Sequence, residues 1–383
     1  MLPHLPRPVL FAVAGGLVLA VGITTAVLLQ PRQPAATPLP TPSPSPTRSP
    51  RPTPSPSPTP TPSPTPSPSP TPTPEAVCPI TGLPLESPLP EDRVSLTVQI
   101  DNDPHARPQT GLSSADLIVE ATVQGNVTRF GAVFYCADPP TAVGPIRSAR
   151  YYNLDVWQQL GSLTVGFGGA PYTIQHFADG GMPYLNGIDG WGYFFRSSDR
   201  IAPYNVYADL DAIRSDLAAG ALHPFTVGID EVRPPFETAE SPTLPEARDV
   251  NRLDIATNGY WSYSFLYHSD LQAWSRADAG QVMVDAATNE LVTVRTVVVQ
   301  QVPQEEVLGV DFGVGGNPIL HHLVGHGTGI IYVDGEAHNV EWSRPDASST
   351  TTWTYAGSGD PVVLPPGRIW WQILPHSAAL NES

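Results

Sequence analysis

The sequence predicts an α+β protein: a layered α/β sandwich as its N-terminal lobe and a mainly antiparallel β C-terminal lobe, preceded by a transmembrane helix and a disordered, Pro-rich stalk. Three observations carry this expectation. Residues 9–29 are an unbroken run of apolar, Gly and Thr residues, and 20 of the 47 prolines fall within 31–74. Beyond residue 75 the periodicity is first mixed helix and strand, then strand alone after about residue 260. The organisation read from these is an anchor or signal at 1–30, a linker at 31–74, an N-terminal α+β domain at 75–238 and a C-terminal β-rich domain at 250–383.

At roughly 1.5 Å rise per residue, the run at 9–29 just crosses a hydrocarbon core of about 30 Å. No Cys follows it to take a lipid, and no persuasive small-x-small cleavage site precedes Gln30. The expectation is an uncleaved single-pass anchor in the cell membrane with the folded part outside; a cleaved signal and a secreted protein are the alternative. Residues 31–74 alternate Pro with Ser or Thr, so they have no apolar face to bury and half of them lack a backbone donor. Polyproline II at about 3.1 Å per residue would reach on the order of 140 Å, a spacer suited to holding a domain away from a membrane.

Charge excludes several functions. The chain has 383 residues, a net charge of −17 and no Lys, so its 19 basic residues are all Arg. Four precede residue 75, leaving 15 against all 36 acids, and 15 − 36 = −21 for the remainder. Tracking of nucleic-acid phosphate is excluded on that balance, as is general adhesion to anionic polymers. A local Arg pocket for one carboxylate or phosphate remains compatible with it.

In the folded part, 95–101, 116–122, 129–136 and 162–167 alternate as strands, while 147–160, 172–178 and 208–219 have helical spacing, the last ending at Gly220. The Pro-rich, acidic run 231–245 is a natural boundary. Beyond it 260–268, 281–284, 291–302, 329–333, 350–355 and 368–374 read as strands. In an exported domain the even pair Cys78 and Cys136 is expected as a disulfide. The adjacent Trp370 and Trp371 must point to opposite faces of a strand, leaving open that one is exposed for glycan stacking.

Several segments resemble a known family. They are CPITGLP (78–84), VQIDNDPHARPQTGLSSADLIVE (98–120), TRFGAVF (128–134), GPIRSAR (144–150), RSSDRIAPYNVY (196–207), VVVQ (297–300), EWSR (341–344) and LPPGRIW (364–370). In this order they resemble the YerB-like proteins, a bacterial extracytoplasmic family of unknown function with N- and C-terminal domains. The resemblance implies a two-part, layered α+β protein, often a lipoprotein. The sequence departs from it in carrying an apolar segment and stalk where a lipidated Cys is expected, and in Tyr204 where the family's APHN-like run has His.

Polar residues cluster in turns beside the strands: Asp101, Asn102, Arg107 and Gln109; Arg147, Ser148 and Arg150; Arg196, Arg200 and Asn205. Loops at strand ends are where sites are built. Five of the 15 arginines lie in these motifs, and they suit a carboxylate, phosphate or acidic sugar held by bidentate bonds. The competing expectation is that they pair internally with Asp101, Glu120, Asp199 and Asp209. An enzyme reading would use Asp101 and Glu120 as a glycosidase carboxylate pair.

Ser148 lacks a nucleophile elbow. His321, His322 and His326 in HHLVGHGTG read as a polar edge or loop rather than metal ligands. No metal or cofactor is expected. The leading expectation is a non-catalytic binding or regulatory domain of the cell envelope, whose partner is cell-wall glycan or another envelope protein. The alternatives are a cell-wall hydrolase or transferase, and a structural protein-partner module.

Overall fold

The structure, a computed structural model, describes residues 76–125, 127–222, 235–245, 247–257, 261–308 and 317–383. The apolar run at 9–29 and the stalk at 31–74 lie outside the described residues. Among the described residues no helix is long and apolar enough to cross a membrane.

In chain order the first half forms β1 (Leu96–Asp101), β2 (Leu117–Val123), β3 (Val127–Phe134), α1 (Tyr152–Leu160), β4 (Leu163–Gly166), α2 (Pro171–Asp179), β5 (Tyr184–Asn186), β6 (Phe194–Arg196), β7 (Val206–Ala208) and α3 (Leu210–Ala218). The described remainder forms strands: β8 (Glu237–Thr238), β9 (Arg248–Asp249), β10 (Arg252–Ala256), β11 (Ser262–His268), β12 (Ala273–Asp278), β13 (Gln281–Val282), β14 (Thr293–Val294), β15 (Thr296–Val302), β16 (Gln304–Glu306), β17 (Ile319–His321), β18 (Gly325–Val333), β19 (Glu336–Arg344), β20 (Thr352–Tyr355), β21 (Val363–Leu364), β22 (Ile369–Pro375) and β23 (Ala379–Glu382). The mixed first half and β-rich second half match the sequence pattern.

Both halves build one central sheet of 11 strands, in the order β20-β19-β18-β15-β22-β2-β3-β1-β4-β5 with β9 beside β19. Strand β22, from near the end of the chain, is inserted between β15 and β2 and is parallel to both. Strands β15, β22, β2, β1, β4 and β5 therefore run in one direction with only β3 opposing among them. Their carboxyl ends lie along a single edge, the place where a sheet with parallel strands offers a crevice to ligands.

Each face of the sheet is covered. On one, Phe130, Ile118 and Trp370 pack with Leu210 and Ile213 of α3 and with Tyr263, Phe265 and Trp274 of a second sheet, β13-β12-β11-β10-β23 with β14 beside β12. On the other, Val119, Val133 and Trp371 pack with Tyr152, Val156 and Leu160 of α1. Trp370 and Trp371 do point to opposite faces, but each is only 1% exposed. The possibility that one serves as a free sugar platform is thereby corrected: a central strand of a doubly covered sheet leaves neither ring to solvent.

Two element boundaries differ from the sequence reading for identifiable reasons. The helix expected from residue 147 begins at Tyr152. Before it, the N–H of Ile146 donates to the Val206 carbonyl (2.7 Å) and that of Arg147 to the Gln99 carbonyl (2.9 Å), so these donors are committed to strands. The run 291–302 is interrupted at Arg295, where the chain changes sheets: β14 pairs with β12, and β15 joins the central sheet.

Cys78 and Cys136 are bonded, with Cα atoms 5.7 Å apart, which fastens the segment before β1 to the end of β3. Asp116 lies beside them and accepts from the N–H of Tyr135 (2.6 Å) and of Cys136 (2.8 Å). With both thiols consumed, this trio has no thiolate to offer a metal.

His321 is fully buried, its Nε2 3.3 Å from the Thr122 hydroxyl. Burial pushes its pKa down to about 3, so the folded protein holds it neutral. The unfolded chain takes up a proton below about pH 6.5, which favours unfolding increasingly as pH falls from there towards 3. We expect up to about 1.4 kcal/mol of stability to be lost per pH unit in that window from this group. Urea titrations at several pH values should show a shallower slope in His321→Gln.

Candidate functional site: an arginine cluster at the carboxyl edge

Three loops meet beyond the carboxyl end of β1. The chain leaves β1 at Asp101 through a turn in which Asp103 caps a short 3-10 helix, Pro104–Ala106. Residues 143–147 bridge β1 and β7, with the N–H of Asp101 donating to the Pro145 carbonyl (2.9 Å) and that of Val143 to the Ala208 carbonyl (3.0 Å). The β6–β7 hairpin tip is fastened to the first loop by Arg200, which donates to the carbonyls of His105 (3.4 Å), Arg107 (3.2 Å) and Pro108 (2.5 Å). All three sequence motifs thus share one locality.

Many of the expected site residues are committed inside the protein. Asn102 donates to the Thr128 hydroxyl (2.6 Å) and accepts from Arg107 Nε (3.2 Å), while Gln109 donates to the Asp101 carbonyl (3.0 Å). Arg107 is paired with Asp278 (3.0 Å) and lies 5.4 Å from the Trp261 ring centre. Arg196 donates to Asn205 (2.7 Å) and covers Phe167. The Ser148 hydroxyl donates to the Phe167 carbonyl (3.2 Å). Asp209 caps α3 through the Ala212 N–H (3.0 Å).

What remains is a concentration of positive charge. Asp101, 1% exposed, is approached by Arg147 Nε at 2.8 Å and Arg129 Nη2 at 3.5 Å. Arg129 and Arg150 both donate to the Ser148 carbonyl (3.1 and 3.2 Å). Arg150 makes no ion pair among the described residues, and its Nε is buried without a hydrogen-bond partner. Burial, followed by repulsion from Arg129, pushes its pKa down to about 9. Two guanidinium groups therefore approach one carboxylate, and a third, Arg150, lies beside them on the Ser148 carbonyl it shares with Arg129. Arg147 leaves 32% of its side chain in solvent.

The outer rim is aromatic. Tyr204 lies 5.9 Å below the Arg147 guanidinium and stacks on His105 at 5.3 Å. Asp103 holds His105 Nδ1 at 2.8 Å. Burial opposes ionisation of Asp103, but bonds from the His105 N–H and ring and from Tyr204 more than offset it and lower its pKa. Burial and the carboxylates of Asp103 and Asp101 raise that of Tyr204. At Gly168 φ is +88°, and a Cβ there would meet Ile188 at 2.8 Å and Ser148 Oγ at 3.3 Å, so only glycine lets this loop close beside Ser148.

The carboxylate pair Asp101 and Glu120 is not brought together. Asp101 is opposite Arg129 and Glu120 opposite Phe130 across the two sides of β3. Successive residues of a strand face opposite ways, so the two carboxylates lie on opposite faces of the sheet. Glu120 is moreover fully buried, accepting from Arg276 Nε (3.0 Å) and Nη2 (2.8 Å), Trp370 Nε1 (2.9 Å) and Thr128 (2.5 Å). This corrects the glycosidase reading, which needs both groups in one open cleft.

Sequence reasoning omitted Arg129, His105 and Asp103 from the site. Arg129 had a local signal, a lone cation in an otherwise apolar strand. His105 and Asp103 had none beyond sitting in the same turn.

The comparisons agree with this architecture. Over 80% of the chain, the fold superposes on the whole of the crystal structure of YerB protein from Bacillus subtilis, with a TM-score of 0.66 at 24% identity. Residues 80–223 match the N-terminal domain, and 252–371 the C-terminal domain, of the family described as a protein of unknown function (DUF3048). The chain belongs to this YerB-like family. A relative in Bacillus subtilis (strain 168), named "Putative lipoprotein YerB", is 27% identical over 312 residues, which is 80% of this chain and 88% of that one.

Proposed function

We propose that this protein is a non-catalytic binding domain held outside the cytoplasmic membrane, where the Arg147, Arg150 and Arg129 cluster takes the carboxylate or phosphate of an envelope glycan. The observation that carries the reading is the excess of cations over carboxylates in one place, within a chain whose overall charge is −17. A guanidinium that is largely buried and has no carboxylate partner is stabilised by an arriving anion. Tyr204 beside Arg147 supplies a flat surface for a sugar ring. The lipoprotein name of the relative and the apolar run at 9–29 support a membrane-held location.

Full-length protein in detergent, mixed with isolated cell-wall sacculi, should sediment with them and release no soluble fragments. Arg147→Ala should weaken sedimentation by about 10- to 100-fold, the worth of one charged hydrogen-bonded contact. Fragment release would overturn the non-catalytic reading, and a failure to sediment would overturn the glycan.

A further inference from the structure

The arginine cluster is bordered by aromatic side chains at both of its ends. From Tyr204 a line of charge runs through Arg147 and Arg129, which meet at Asp101, to Arg150, which shares the Ser148 carbonyl with Arg129. Next to Arg150 come three more rings. Tyr151 follows it in the chain, and the ring centres of Tyr172 and His176 lie 5.4 and 4.6 Å from that of Tyr151. Burial raises the pKa of Tyr172, and the Arg150 guanidinium, near enough to act on it, opposes that rise.

The second aromatic group is placed by the same sheet edge. Gln124, one residue past the end of β2, donates from Nε2 to the Tyr172 hydroxyl (3.2 Å). Tyr172 lies in the first turn of α2, which follows β4, and Tyr151 immediately precedes α1. Both helices begin at the carboxyl edge, where their N-terminal ends add to the positive potential. Tyr151, Tyr172 and His176 are each half-buried, so their rings keep surface for a ligand.

Free donors lie between the two aromatic groups. Arg150 spends Nη1 on the carbonyls of Ser148 (3.2 Å) and Ala149 (2.9 Å), but its Nη2 makes no hydrogen bond among the described residues. Neither Nη of Arg147 makes one either, and unlike the Nε of Arg150 these nitrogens are not buried.

We propose that the site takes an acidic sugar from within a glycan strand, its carboxylate on Arg147 and Arg150, with the neighbouring sugar on one side against Tyr204 and that on the other against Tyr151 and Tyr172. The inference rests on the anion-binding reading above and extends it from one acidic group to a chain with a ring on each side. A polyol phosphate would satisfy the arginines but leave both aromatic groups unused, since it has no flat apolar face to offer them.

Calorimetry on full-length protein in detergent compares N-acetylmuramic acid, the trisaccharide in which it is flanked on both sides by N-acetylglucosamine, and a glycerol phosphate trimer, which has anions and no rings. The trisaccharide binds about tenfold or more tightly than either of the others, the worth of an added ring contact. Tyr172→Ala brings the ratio of trisaccharide to monosaccharide affinity down to about one, while Tyr172→Phe, which keeps the ring, preserves the advantage. Circular dichroism confirms that both variants are folded.

Binding of the monosaccharide with no gain from the flanking sugars, or a gain that Tyr172→Ala leaves intact, overturns the extended site while the anion reading stands. A glycerol phosphate trimer that binds as tightly as the trisaccharide also overturns it. Failure of both sugars to bind overturns the anion reading and the extended site together.

Discussion

Arg276→Met should cost about 3–5 kcal/mol of folding stability, as removal of one member of a buried ion pair does. Arg276 is fully buried in β12 and donates to both oxygens of Glu120, while its Nη1 contacts Asp278. The aromatic ring of Tyr263 lies 4.1 Å from its guanidinium carbon, and those of Phe130 and Trp370 complete the enclosure. Burial alone would lower its pKa, but Glu120 and Asp278 more than offset this and hold it above the ordinary arginine value.

Methionine fills much of the same volume but leaves Glu120 without its cation in a dry core, where burial already raises its pKa and Arg276 and Thr128 oppose that. Glu120→Gln with Arg276→Met should therefore lose less than the sum of the two single changes. Urea unfolding of the four proteins checks this. A loss below about 1 kcal/mol in Arg276→Met would show that the pair does not hold the halves together.

Opening the disulfide should cost a similar amount. Cys78 and Cys136 are separated by 58 residues, and the loop-closure entropy for a ring of that length corresponds to about 4 kcal/mol. The bond restrains the segment before β1, whose Ile80 and Cys78 belong to the core face containing α1 and Trp371. Cys78→Ser with Cys136→Ser should shift the urea midpoint strongly, and reductant should do the same to the natural chain while leaving the double variant unchanged. Equal stability with and without reductant would contradict the account.

The sequence made the local elements legible because their signals are local. Alternation located β1, β2 and β3, and Gly220, at φ +71°, follows α3 where the pattern ended it. The cysteine pair needed only an even count and an exported context. What was hidden depends on distant residues. Glu120 finds Arg276 156 residues away, and no spacing rule reaches across that interval. The insertion of β22 between β15 and β2, which joins the two halves into one sheet, has no local signature either.

The site was legible as three motifs, but its balance was not. Which arginines are spent internally depends on carbonyls and amides supplied by the fold: Arg200 on the loop at 105–108, Arg196 on Asn205, Arg107 on Asp278. The glycosidase pair failed for a reason of parity, since Asp101 and Glu120 could be assigned to opposite faces only once both registers to β3 were known.

The claim that the arginine cluster selects an anion is tested most directly by calorimetry on the full-length protein with two sugars that differ by one acid. N-acetylmuramic acid carries a lactyl carboxylate that N-acetylglucosamine lacks. The account predicts that the acid binds about tenfold or more tightly, and that Arg147→Ala reduces it to the level of the neutral sugar. Equal binding of the two sugars, or binding of the acid that Arg147→Ala leaves intact, would contradict it.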